Sequence, residues 1–190
     1  MNDQPTMLNA VHYIRDVHEQ AALLLKTGDT LLNDHNFTPW SGNMCIWESG
    51  QTHIEPFKWM PSEVVRYYTS NHDPRVLFLV SILFWDRHRE YDPPLSDCLL
   101  TACAAIFNTT DWNDQDWQRG WWGRWHGYAK HRRDDGSVHE NLTANWEDSK
   151  DHPKLDRILT LGRPLREVTS SDVLKATLEP LFERIEHIIR

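Results

Sequence analysis

Glycine is scarce in this chain, at 8 of 190 residues, and cysteine is scarcer, at 3. The three thiols, Cys45, Cys98 and Cys103, are scattered and form no CxxC, which excludes a disulfide framework and a zinc knuckle. Reduced, buried thiols are expected, most clearly for Cys98 and Cys103 in the apolar stretch CLLTACAAIF. No apolar run reaches the roughly 18 residues that span a bilayer, so no membrane partner is expected. The opening stretch MNDQPTMLNAVHYIRD has no basic run ahead of an apolar one; no secretion signal is expected, and the expected compartment is the cytoplasm. The motifs GxSxG, GxxxxGK[ST], GxGxxG and HExxH are missing, which disfavours hydrolase-fold and nucleotide-dependent enzymes. Basic residues are outnumbered 20 to 28, a net charge of −8, and this argues against a chain that coats nucleic acid.

Tryptophan is what the chain has in excess: 10 residues, more than its glycines. Five of them fall within DWNDQDWQRGWWGRW, at positions 112, 117, 121, 122 and 125. In a helix, Trp117, Trp121, Trp125 and Tyr128 would share one stripe, with Trp122 beside it. Asp111, Asp114 and Asp116 precede the stripe. Arg119, Arg124, Lys130, Arg132 and Arg133 follow or interleave with it, and no acid occurs between Trp117 and Arg133. One reading packs these rings on a sheet and lets the charges follow the helix dipole. The other leaves Trp117, Arg119, Trp121, Trp122, Arg124, Trp125 and Tyr128 as a partner-binding surface, because Trp, Tyr and Arg dominate interface hot spots. A protein partner is the expected ligand. Single-stranded nucleic acid, stacked on the rings, is the second choice, disfavoured by the charge of −8.

Hydrophobic periodicity predicts one α+β domain over 1–190. Val11, Ile14, Val17, Ala21, Leu24, Leu25, Leu31 and Leu32 recur at helical spacing, which predicts a helix over 8–34, weakened at Gly28. Alternating β-branched and aromatic residues over 43–86 predict a meander of about four antiparallel strands, with the run from Val76 innermost. Helices are expected across 96–131, including the Trp-rich segment. A polar loop is expected over 132–153 and a last helix over 170–190, opened by a capping box at Thr169-Ser-Ser-Asp172. The long helix and the C-terminal helices are expected to cover the sheet.

Eleven histidines raise the question of a metal. The nearest to a cluster are His126, His131 and His139 with Asp135, which could hold zinc or manganese if the 132–153 loop folds back. A metal-dependent nuclease or hydrolase using that loop is therefore the alternative function. No cofactor is otherwise indicated. The polar strand residues Glu48, His53, Glu55, Lys58 and Arg66 are expected to face water. The leading expectation is a non-catalytic cytoplasmic interaction protein of accessory, adaptor or immunity type; the apolar stripes at both ends of the chain leave a homodimer open.

Overall fold

The computed structural model describes residues 7–40, 46–47, 63–84, 97–112, 135–142 and 154–190. Helix α1 spans Met7–Asp34 without interruption. The strands are β1 (Phe37–Pro39), β2 (Ile46–Trp47), β3 (Glu63–Ser70), β4 (Val76–Leu83), β5 (Leu99–Phe107), β6 (His139–Leu142) and β7 (Leu155–Pro164). Helix α2 spans Ser171–Ile189. All strand pairs are antiparallel, in the order β1-β3-β4-β5-β7-β6, and β2 lies alongside β3 on the same edge as β1.

The α+β class and the two terminal helices agree with the sequence reading, but the sheet is larger than the expected meander. Residues 99–107 form a central strand, not the helix expected from 96 onward. Every residue of β4 and of β5 is buried. A strand covered on both faces has no reason to alternate, so LLTACAAIF reads equally well as a helix face. The register resolves it: Leu100, Ala102 and Ala104 face the helices, whereas Cys103, Ala105 and Phe107 face the opposite side. The 132–153 loop also contains a strand, β6. Among the described residues it pairs with β7 alone, and an edge strand needs few apolar residues.

Both helices pack on one face. Ala21, Leu25 and Leu32 of α1 and Leu174, Leu178, Leu181 and Phe182 of α2 join Tyr68, Phe78, Val80 and Ile82 of the sheet in one core. Each fully buried leucine contributes roughly 2 kcal/mol of transfer free energy. Gly28 does not break α1. It is buried against the sheet, and a side-chain carbon there would sit 3.8 Å from the Tyr68 hydroxyl. The cap of α2 lies one residue past the one the capping box implies: Ser170, not Thr169, caps the helix, its side chain accepting from the Val173 amide. Arg66 does not face water. It is 4% exposed and bound to Asp29 of α1.

Candidate interaction surface

The seven residues of the expected Trp/Arg surface, Trp117 to Tyr128, lie outside the described residues, as do His126 and His131. Trp40 and Trp112 are described, and both pack on the sheet face opposite the helices. Trp112 stacks on Phe107 at 4.8 Å and donates its indole N–H to the Pro74 carbonyl at 2.6 Å. Trp40 meets Tyr67 edge-on at 6.3 Å.

Of the metal candidates, the structure brings Asp135 and His139 near one another through Ser137. The serine hydroxyl donates to Asp135 Oδ1 at 2.6 Å and bonds to His139 Nε2 at 2.8 Å. Two ligating side chains fall short of the three that a catalytic zinc ordinarily takes from the protein. Among the described residues no group of three His, Cys, Asp or Glu side chains gathers around one point. Glu140, the next residue, turns to the helix face and binds Arg157 at 2.8 Å and Arg184 of α2. Both guanidiniums hold its carboxyl below the usual range, Arg184 most strongly. Cys98 and Cys103 are free thiols; burial pushes the Cys98 thiol up, and its Sγ donates to the Phe84 carbonyl.

The face opposite the helices carries a polar row that sequence reasoning overlooked. Glu63, Ser81 and Thr101 are each at most 1% exposed. The Ser81 hydroxyl donates to Glu63, and Thr101 lies directly across from Ser81 on β5. Burial, then the Glu63 charge, pushes the Tyr67 phenol up. The legible signal was Ser81 itself, the one polar residue in VLFLVSILFW.

Among the described residues the exposed large apolar side chains, Leu8, Val11, Tyr13 and Leu23, all lie on α1. From Leu8 to Gln20 no residue is buried, whereas Ala21, Leu25, Gly28 and Leu32 all are. Among the described residues α1 is longer than the strands it covers. A 28-residue helix runs about 42 Å, whereas an eight-residue strand runs about 27 Å. The excess corresponds to about ten residues at the N-terminal end. His18, stacked on Phe84 at 5.6 Å just past the end of β4, marks where the helix leaves the sheet. Beyond it, the stripe that packs in the core continues through Val17, Ile14 and Val11. Tyr13 is 71% exposed, Leu8 63% and Val11 57%. Arg15, Asp16 and Glu19 flank them, so the charge of this end is mixed. Comparison with known families, curated proteins and solved structures returns no match.

Proposed function

We propose that this is a non-catalytic cytoplasmic interaction protein of accessory or adaptor type, and that the overhanging first half of α1 is its primary docking surface. The supporting observation is the exposure of Leu8, Val11 and Tyr13 on a helix whose other half is anchored in the core. Holding such a helix rigid while leaving Leu8, Val11 and Tyr13 in water has a cost, and a partner offering an apolar groove removes it. Tyr13 is the anchor, because tyrosine brings large contact area with few torsions to freeze. The basic aromatic stretch around Trp121 and Arg124 is a second contact in this proposal, on the strength of its residue types. A protein partner is favoured over nucleic acid because the net charge is −8.

The test is co-purification from cells that produce the protein, using the double variant Val11→Ser/Tyr13→Ser. A specific protein should co-purify with the parent chain and be lost from the variant, with Tm unchanged. Equal recovery with both proteins contradicts the proposal.

A further inference from the structure

Two neighbouring rows of residues on the sheet face opposite the helices are rich in polar groups, whereas Leu77, Leu79, Ala105 and Ile158 beside them are apolar. The strand pairing sets the rows out. Ser81 of β4 pairs with Thr101 of β5, which pairs with Gly162 of β7. Two residues along, Cys103 pairs with Thr160, which pairs with His139 of β6. The turn before β6 extends the first row to the sheet edge. There the Gly136 amide donates to the Gly162 carbonyl at 2.9 Å, and the Ser137 hydroxyl bonds to His139 Nε2 at 2.8 Å. Glu140 and Arg163 both bond to α2, so their neighbours His139 and Gly162 belong to the other face.

Access differs along the rows. Ser137 is exposed, and His139 and Thr160 are half-buried, whereas Ser81 and Thr101 are at most 1% exposed. The rows therefore run from water at the β6 edge into the interior. Position 162 is the step between the two ends, and a side chain there would stand between Ser137 and Thr101. Glycine weakens a strand interior, and it recurs where a ligand comes close to the backbone.

The inner end carries the decisive atom. Thr101 Oγ1 is buried and makes no hydrogen bond. Valine has the same shape, suits a strand as well and hides no polar atom, so packing alone does not account for threonine here. The adjacent Ser81 hydroxyl donates to Glu63, and its oxygen keeps lone pairs for a donor. A hydroxyl placed between the two accepts from Thr101 and donates to Ser81.

We infer that the inner polar row binds a small neutral polyol, with one hydroxyl between Ser81 and Thr101 and another reaching Ser137 at the β6 edge. Thr101 and Ser137 stand about two strand spacings apart, or about 10 Å. A hydrogen bond at each end leaves about 4 Å between the two ligand oxygens. Hydroxyls on alternate carbons have that separation, in an open polyol or on a sugar ring. Among the described residues neither row holds a lysine or arginine for an anion, and Glu63 already holds the Ser81 hydroxyl. A neutral ligand matches the neutral atom that is left over. The site is separate from the docking surface on α1, which packs on the other face.

The test follows the Thr101 methyl and the His139 imidazole by NMR while glycerol, D-xylose or propan-1-ol is titrated into the full chain. Glycerol or xylose should shift both signals saturably with a millimolar Kd, and whichever does so identifies the open or the ring form. Propan-1-ol, with one hydroxyl, should leave the Thr101 methyl unmoved. Thr101→Val, read at His139, should weaken the polyol about fivefold, the loss of one hydrogen bond, with Tm unchanged or raised. Ser137→Ala lies in an exposed turn, so loss of fold is not expected, and it should weaken the polyol independently. The inference is overturned if neither polyol shifts the Thr101 methyl at tens of millimolar, or if propan-1-ol binds as well as they do. It is equally overturned if neither variant weakens the polyol.

Discussion

Arg66 of β3 grips Asp29 of α1 through two parallel hydrogen bonds, Nε to Oδ1 at 2.5 Å and Nη2 to Oδ2 at 2.8 Å. The Tyr68 hydroxyl donates to the same carboxylate at 2.8 Å. The fork geometry of guanidinium on carboxylate fixes both the rotation and the axial position of α1 over the sheet. It therefore also determines how much of the helix projects beyond the sheet.

Asp29→Ala should be strongly destabilising, because it removes the bidentate carboxylate from a guanidinium that is 4% exposed. The expected loss is about 3 kcal/mol, or about 10 °C in Tm for a chain of this size. Tyr68→Phe removes one neutral donor to the same carboxylate and should cost only about 1 kcal/mol. Thermal unfolding of the two variants checks the ranking; equal losses would mean that the ion pair does not anchor α1.

Tyr67 and Tyr68 should resist alkaline titration. Burial pushes the Tyr67 and Tyr68 phenols well above the ordinary value of 10.0, aided at Tyr67 by the Glu63 charge and at Tyr68 by its hydrogen bond to Asp29. Absorbance of phenolate should show these two ionising only with unfolding. Reversible titration of all five in the folded protein would contradict the burial of the pair.

Acid stability should depend on Glu140. Its folded-state pKa lies below the ordinary 4.5 because Arg184 and Arg157 hold the carboxylate. A carboxylate with a lowered pKa adds stability that is fully present above its unfolded value and is lost as pH falls through the folded one. Unfolding measured between neutral pH and the acid limb should show Glu140→Gln less stable than the parent at neutrality, with the difference shrinking below pH 4.5. A constant difference across that range would show that the Arg184 and Arg157 contacts are not ionic in effect.

The elements legible in the sequence are those whose two sides differ. The α1 stripe and, to within one residue, the α2 cap could be read because each helix has one apolar and one wet side, and because Ser170 satisfies an amide within its own helix. Leu99–Phe107 could not, since burial on both faces erases the period that separates strand from helix. Arg66 was assigned to water because its partner lies 37 residues away on another element, a distance that no local pattern spans. The candidate surface was half legible. Val11, Ile14 and Val17 belong to the same stripe as Leu25 and Leu32, but only the length of the strands decides where core ends and overhang begins. Ser81 was visible as a residue. Its alignment with Thr101 across β4 and β5 required the fold.

The docking role of α1 is tested most directly by placing a photo-activatable cross-linking residue at Tyr13 in the producing cell, with a second chain carrying it at exposed Lys175 on α2 as the control. The account predicts one discrete protein adduct from position 13, abolished by Val11→Ser and not obtained from position 175. No adduct from position 13, or the same adduct from both positions, would contradict it.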